Sequence, residues 1–342
     1  MLRAEHEFPT GDGARDTVMI TRRELLLSVP ATLMASACRR PYNAAEFALP
    51  ERSVVGLFPA ANYGVDLVDV IGRGLRALDI SVKGLRVLLK PNLVEYEAGT
   101  IINTNANVVG AAALAMLQGG AAEVVVAEGP GHRRDIEYLL VSTGLYDHLK
   151  DLKVRFVDLN HDDVQAVRLR SRFTQMDELF LPAELLRADL VVSMPKLKTH
   201  HWAVMTASMK NLFGVVPGAV YGWPKNILHF HGIENSIVDL VSTVRPHLAI
   251  VDGIVGMEGD GPIMGTPRPV GVLAMGTDVV AVDATCARLI GVDPSRIPYL
   301  STASTFLGNV AADRITHRGE NPERYRSDFA LIDSFKDRRL SR

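Results

Sequence analysis

The sequence predicts an α/β fold in which helices cover both faces of a mostly parallel sheet. Short apolar runs typical of buried strands, such as residues 85–89 and 190–192, alternate with segments whose apolar residues have helical spacing. The runs are continuous, as expected of parallel strands that are covered on both faces. Several runs end in Lys, Asp or Glu, and parallel strands bring such ends to one edge of the sheet.

The predicted elements follow one another along the whole chain. Strands are predicted at residues 53–58, 85–89, 123–127, 154–157, 190–192, 248–251 and 270–274. Helices are predicted at residues 65–78, 108–117, 136–149, 183–187, 205–213, 232–244 and 279–290. Pro91 ends the second strand because it has no N–H to donate, and Asn105 can cap the helix that follows. Residues 162–181 have a mixed pattern.

Composition narrows the class of protein. The 342 residues are 47% hydrophobic, enough to bury a sizeable core, and the formal net charge is −2. A nucleic-acid partner is not expected, because binding phosphates requires a basic surplus. The two cysteines, Cys38 and Cys286, are too few for an iron–sulfur cluster held by four thiolates. Cys286 falls in an Ala-rich predicted helix and is predicted to be a core residue.

The N-terminal residues 1–38 are predicted to be an export signal. Arg22 and Arg23 precede an apolar stretch that is too short to span a bilayer, and the pattern resembles a twin-arginine signal. Small residues then precede Cys38, which fits either conventional cleavage or lipid attachment to Cys38. A lipid at Cys38 is the only membrane contact that the sequence suggests.

This signal determines the expected organisation and location of the chain. Translation from Met19 would give the signal a conventional short basic start. Residues 39–51 are predicted to be a linker, and residues 52–342 a single α/β domain. The mature protein is expected in the periplasm or cell envelope.

Polar motifs follow the predicted strands at several points. They are Lys90-Pro91-Asn92, Glu128-Gly129, Pro195-Lys196, Asp252-Gly253 and Gly276-Thr277-Asp278. For any one of them, a turn residue or a helix cap is the simpler explanation. Taken together they favour a shared ligand site at the carboxyl edge of the sheet.

With Lys198, His200, residues 210–214 and residues 258–262, these motifs resemble the family called domain of unknown function 362. The resemblance extends over about residues 54–292 and implies a fold and a site, but no established substrate. Many members of that family carry ferredoxin-like cysteine motifs and are labelled iron–sulfur centre proteins. This chain lacks those motifs, so an iron–sulfur cluster is not expected here.

The candidate site residues are mainly lysines and carboxylates. A Lys at a strand end can hold an anion or, if burial lowers its pKa, act as a base. The alternative is a solvated Lys or, for Lys210, one that interacts with the dipole of its helix. We assign catalytic roles to Lys196, His200 and Asp252. We assign ligand binding to Lys90, Asn92, Glu128, Lys198, Lys210, Asn211 and Asp278.

Two further patterns suggest a divalent metal. Glu258 and Asp260 lie in a Gly-rich loop that could hold a hard cation such as magnesium. His229 and His231 would face the same way in an extended segment and could ligate a transition metal. The alternatives are carboxylates that cap neighbouring amides and solvated loop histidines. There is no HExxH, GxGxxG or Walker A motif.

Two classes of function follow from these residues. The first is an exported enzyme that acts on an anionic small molecule at the carboxyl edge of the sheet. The second is a non-catalytic envelope protein that binds an anion or a metal with the same groups.

We expect the double variant Arg22→Lys with Arg23→Lys to remain in the cytoplasm, because it keeps the charge but loses the twin-arginine pattern. Cell fractionation followed by immunoblotting measures this. A matched control replaces the second arginine pair, Arg39 and Arg40, with Lys and should be exported. Normal export of the first variant would contradict the prediction.

Overall fold

The structure is a computed structural model that describes residues 40–340 of the chain. The predicted export signal and Cys38 lie outside these residues. The strands are β1 (Ser53–Pro59), β2 (Arg86–Pro91), β3 (Glu123–Glu128), β4 (Arg155–Asp158), β5 (Val164–Arg168), β6 (Glu178–Pro182), β7 (Leu190–Met194), β8 (Lys196–His200), β9 (Val204–Thr206), β10 (Leu248–Glu258), β11 (Thr266–Gly276) and β12 (Ile315–Gly319).

The α-helices lie mostly between the strands. They are α1 (Leu67–Ala77), α2 (Ala106–Gln118), α3 (Ile136–Ser142), α4 (Leu145–Leu152), α5 (Ala183–Arg187), α6 (Ser208–Asn211), α7 (Gly218–Tyr221), α8 (Asn226–Phe230), α9 (Ile233–Val244), α10 (Val279–Leu289) and α11 (Pro298–Ala303). No helix among residues 40–340 has the length and apolar character needed to cross a membrane.

The sheet confirms the predicted fold class. Its main path runs β12-β1-β11-β10-β7-β2-β3-β4, and β8 extends it by pairing with both β10 and β9. All neighbours on the main path are parallel except β11, which is antiparallel to both β1 and β10. The carboxyl ends of β2, β3, β7 and β10 therefore meet at one edge, as the continuous apolar runs predicted.

A hydrophobic core covers each face of the sheet. Successive residues of a strand point to opposite faces, so Leu88 joins one core while Val87 and Leu89 join the other. On the first face the sheet packs against α9 and α10, and on the second it packs against α1 and α2. This arrangement matches the predicted pattern of helices on both faces. Cys286 is fully buried in α10, as predicted.

Several predicted elements differ from the structure for local reasons. The helix predicted at 136–149 is divided into α3 and α4 at Gly144, whose φ of 75° is left-handed. The helix predicted at 205–213 is a short strand, β9, followed by α6 and a 3-10 turn, Leu212–Val215. The mixed residues 162–181 contain β5 and most of β6, which form a separate two-stranded sheet.

The structure describes residues 40–51 of the linker predicted at 39–51, and this segment packs against the domain. Tyr42 stacks on Phe306 with ring centroids 4.0 Å apart, and Pro41 accepts a hydrogen bond from the Arg172 N–H at 2.7 Å. The apolar side chain of Tyr42 explains this contact, because it removes aromatic surface from water.

Asp283 connects α10 to the start of α6. Its carboxylate accepts hydrogen bonds from the backbone N–H groups of Ser208 (2.7 Å) and Met209 (3.0 Å). Burial raises the pKa of Asp283 to about 7, although these two hydrogen bonds oppose the shift.

Because the pKa of Asp283 is higher in the folded than in the unfolded chain, the folded state holds an extra proton between about pH 4 and pH 7. We therefore expect the stability contributed by this group to fall, by up to ~1.4 kcal/mol per pH unit, as the pH rises through this window. The variant Asp283→Asn should lose that component of the slope.

Urea unfolding at several pH values measures this difference. The surface variant Asp147→Asn is the control for loss of one carboxylate, since Asp147 is exposed on α4. Identical pH slopes for wild type and Asp283→Asn would show that Asp283 does not titrate in this window.

Candidate functional site

A cavity of about 630 Å³ lies at the carboxyl edge of the sheet. Loops that follow β2, β3 and β8 contribute to its wall, together with α6 and the loop between β10 and β11. Eight of the predicted site residues line it: Asn92, Glu128, Lys198, His200, Lys210, Asn211, His229 and Asp260. Six predicted residues do not line it: Lys90, Lys196, Asp252, Asp278, Glu258 and His231.

Lys90 and Glu128 form a buried ion pair beside the cavity. The Lys90 ammonium donates to Glu128 at 2.6 Å, to the Pro91 carbonyl at 3.1 Å and to Asn211 at 3.3 Å. Asn211 in turn donates to the Lys90 carbonyl and to the Ser193 hydroxyl. All three N–H groups of Lys90 are used, so this lysine joins β2, β3 and α6 and has no donor left for a ligand.

Lys196 and Asp252 form a second buried pair, which corrects the prediction that they line the shared site. Lys196 donates to Asp252 at 2.5 Å, to the Tyr63 hydroxyl at 2.8 Å and to the Val255 carbonyl at 3.2 Å. Asp252 also accepts the Asn105 N–H at 3.0 Å, at the start of α2. Because β10 continues past Asp252 to Glu258, the pair lies within paired strands and not on the cavity wall.

Three lysine amines on the cavity wall lack a carboxylate partner among residues 40–340. Burial, reinforced by Lys210 and Lys196, lowers the pKa of Lys198 well below that of a free lysine. Burial also lowers the pKa values of Lys210 and Lys225 to about 7 each, against the opposing effect of Glu128. An anion placed beside these amines would stabilise their charged form.

The hydrogen bonds of Lys198 suit a neutral amine. Its nitrogen donates to the carbonyls of Ile102 at 2.8 Å and Pro262 at 3.3 Å. These two bonds account for both N–H groups of a neutral amine, so its lone pair remains available for a proton. Lys210 is partly exposed, and its nitrogen lies 3.9 Å from the centroid of the Phe213 ring.

His200 is held in one tautomer by the turn that follows it. Its Nδ1 accepts hydrogen bonds from the N–H groups of Trp202 (3.1 Å) and Ala203 (3.3 Å). The proton of the neutral ring is therefore on Nε2. Burial, with Lys210 nearby, lowers the pKa of His200 well below its usual value. His200 is thus suited to donate a hydrogen bond, and its environment opposes a role as a base near neutral pH.

The residues predicted to bind a metal are not brought together. Among residues 40–340, no group of three or more His, Cys, Asp and Glu side chains is placed to hold a metal ion. Asp260 pairs with His201 at 3.3 Å, and Glu258 accepts the Ala330 N–H at 2.8 Å. His231 bonds to the Thr174 carbonyl, because residues 226–230 form α8 and not the extended segment that was predicted.

Asp278 is also a correction, since it lies at the opposite edge of the sheet. It follows β11, which is antiparallel to β10, and the end of β11 at Gly276 pairs with Ala249 near the start of β10. Its side chain accepts the N–H groups of Val280 and Ala281 and so caps α10.

Sequence reasoning missed three polar residues of this region: Tyr63, Asn160 and Lys225. Tyr63 follows β1, whose carboxyl end lies at the same edge as that of β10, so the strand-end rule could have found it. Lys225 is buried and donates to Asn160 at 2.6 Å, but it lies in no predicted element that would have marked it.

Gly214 allows the backbone to approach the Lys90–Glu128 pair. A Cβ at this position would lie 2.6 Å from the Lys90 nitrogen and would overlap a Glu128 carboxylate oxygen. Gly131 also lines the cavity, but a Cβ there would have no neighbour within 4 Å.

We expect Gly214→Ala to lower the free energy of unfolding by about 3 kcal/mol or more, because it must displace one member of a buried ion pair. The matched control Gly131→Ala should change it by less than about 0.5 kcal/mol. Urea denaturation of both variants measures the difference. Equal stabilities would mean that the loop around residue 214 moves aside easily.

Comparisons with known proteins agree with the resemblance in the sequence. The family model of a domain of unknown function (DUF362) matches residues 87–288. A thylakoid-associated protein of Synechocystis sp. is 32% identical over 248 residues, which cover 70% of this chain and 73% of that protein.

Among solved structures, the lactate racemase apoprotein from Thermoanaerobacterium thermosaccharolyticum matches with a TM-score of 0.45 and 13% identity over 71% of this chain and 59% of that one. A structural genomics target from Thermotoga maritima matches with a TM-score of 0.35 and 12% identity over 64% and 57%. In both cases the match spans less than two thirds of the solved chain. The family match covers more than half of this sequence, and the chain belongs to the DUF362 family.

Proposed function

We propose that this protein is an enzyme that binds an anionic small molecule in the cavity and transfers a proton with Lys210. The observation that carries the proposal is that Lys198, Lys210 and Lys225 all line the same cavity. Lys210 lowers the pKa of Lys198, so the two amines repel one another when both are charged, and an anion between them would relieve that repulsion.

Three of the four carboxylates that line the cavity are paired with groups other than these amines, and the fourth, Glu97, is exposed. Glu128 is paired with Lys90 at 2.6 Å, Glu95 with Arg134 at 2.7 Å, and Asp260 with His201. An anion could therefore accept from protonated Lys198 and Lys210 and from the Nε2–H of His200. Such charge-assisted hydrogen bonds are among the stronger polar interactions in proteins.

Lys210 is the best candidate for the reactive group. A base is most effective when its pKa is near the working pH, and burial brings the pKa of Lys210 to about 7. It is partly exposed, within reach of a bound molecule, whereas Lys90 and Lys196 are buried and use all their donors. Lys198, Lys225 and His200 would then orient the substrate.

The proposal includes export by a twin-arginine-type signal to the periplasm or cell envelope. Arg22 and Arg23 support it, as does the small-residue stretch before Cys38. The name of the Synechocystis relative associates that protein with the thylakoid.

We expect inorganic phosphate to bind with uptake of protons near pH 8, because the anion requires Lys210 in its protonated form. Well above pH 7, where phosphate remains a dianion and Lys210 loses its proton, apparent affinity should fall about tenfold per pH unit. In Lys210→Met, affinity at pH 6 should fall by about 1.5–3 kcal/mol and most of the pH dependence should disappear.

Isothermal titration calorimetry in two buffers of different ionisation enthalpy measures both effects. The control Lys83→Met removes an exposed lysine before β2, at the other edge of the sheet, and should behave as wild type. Binding of phosphate, succinate and citrate that is equal in Lys210→Met and wild type would refute the assignment.

A second measurement separates an enzyme from a binding protein. Small molecules extracted from the purified native protein are incubated with fresh protein in D₂O and followed by mass spectrometry. An enzyme should change their mass or introduce deuterium, and Lys210→Met should not. If wild type and Lys210→Met both bind the extracted molecules and leave them unchanged, the chain is a non-catalytic anion-binding protein.

A further inference from the structure

We propose that the anion bound here is amphiphilic, with its charged head at the basic floor of the cavity and an apolar tail that runs along one wall to the mouth. This inference rests on the proposed function and names the chemical class of the ligand. The depth of the lining residues carries the argument. Lys198 is fully buried and His200 is 6% exposed, whereas Trp202 is 57% and Met264 75% exposed.

The wall between floor and mouth is a continuous row of rings. The Lys210 nitrogen lies over the Phe213 ring at 3.9 Å, and Phe213 lies 6.2 Å from His229, centroid to centroid. His229 in turn lies 5.5 Å from the exposed indole of Trp202. Burial lowers the pKa of His229, so its ring is neutral near pH 7 and suits an apolar neighbour. The row leads from the proposed reactive amine to solvent.

The size of the cavity also favours a long ligand. Its volume of about 630 Å³ is much larger than one phosphate or one short carboxylate requires. A phosphate or a short carboxylate would fill only the floor and leave the apolar wall in contact with water. Leu93, Ile263 and Pro262 also line the cavity, and a tail that covers such apolar surface would gain the free energy of burying it.

The exposed side chains at the mouth also favour a ligand with an apolar tail. Trp202 packs edge-on against His201 and His229, which hold the indole in place while more than half of it remains uncovered. A fixed and uncovered indole is a typical contact for the apolar part of a ligand, because little conformational entropy is lost on binding.

The test uses straight-chain carboxylates from acetate to decanoate, below their micelle concentrations. Affinity should rise about fourfold for each methylene that lies along the wall, which corresponds to about 0.8 kcal/mol, and level off when the chain leaves the mouth. Calorimetry measures affinity. Tryptophan fluorescence should report the tail at Trp202, one of two tryptophans in the chain.

Two variants make the test specific. Trp202→Ala should weaken decanoate binding at least tenfold and leave acetate and phosphate binding unchanged. Phe230→Ala is the matched control, because Phe230 is 87% exposed and lies next to His229 in sequence but does not line the cavity. Its affinity for decanoate should equal that of wild type.

The outcomes separate this inference from the proposed function. If phosphate and acetate bind with proton uptake but affinity does not rise with chain length, the ligand is not amphiphilic and the proposed function stands. If no anion binds, the proposed function itself fails.

A third result would indicate that the side chains at the mouth bind a membrane and not the tail of a ligand. Vesicles of phosphatidylcholine and phosphatidylglycerol provide the probe. The inference would be overturned if the protein bound these vesicles and its affinity for carboxylates did not depend on their length. In that case both Trp202→Ala and Phe230→Ala should lose vesicle binding, and Lys210→Met should retain it.

Discussion

The buried ion pair between Lys90 and Glu128 is the interaction on which the rest of the site depends. Two charges removed from water are stable only if each finds its partner and satisfies its remaining hydrogen bonds. Lys90 achieves this through Glu128, Pro91 and Asn211, which belong to three separate elements of the fold. The pair therefore holds the end of β2, the end of β3 and α6 in one arrangement. Lys210 is placed at the cavity wall because its neighbour Asn211 is tied to β2.

The lysines at this edge of the sheet fall into two groups. Lys90 and Lys196 each have a carboxylate and two further acceptors, so they stabilise the edge of the sheet. Lys198, Lys210 and Lys225 face the cavity without a carboxylate partner among residues 40–340, and burial lowers the pKa of each. Lysines paired with a carboxylate and lysines without one thus lie side by side at this edge of the sheet.

The sequence predicted the sheet well and the site less completely, for physical reasons. Continuous apolar runs identify buried strands, which is why the bounds of β1, β2 and β3 were predicted to within a residue or two. Periodicity carries no information on strand direction, so the antiparallel β11 and the displacement of Asp278 to the other edge could not be seen. Lys196 and Asp252 were selected because each comes directly after a predicted strand. In the structure they neutralise each other across the pairing of β8 with β10. Such a long-range partner depends on register, which a local pattern does not contain.

Because β11 is antiparallel, the carboxylate that caps α10 and the side chains that line the cavity lie at opposite edges of the sheet. At the edge where β11 ends, Asp278 caps α10, and the carboxylates near that helix serve the backbone. At the opposite edge, the parallel strands deliver side chains to a cavity, where Lys198 donates to two backbone carbonyls and Lys225 to Asn160. A substitution near α10 can act on the cavity through Asp283, which holds the first residues of α6 and hence Lys210. Protonation of Asp283 would weaken its two hydrogen bonds to α6, because a neutral carboxyl is a poorer acceptor than a carboxylate. The position of Lys210 and the ionisation of Asp283 are therefore linked through a single turn of helix.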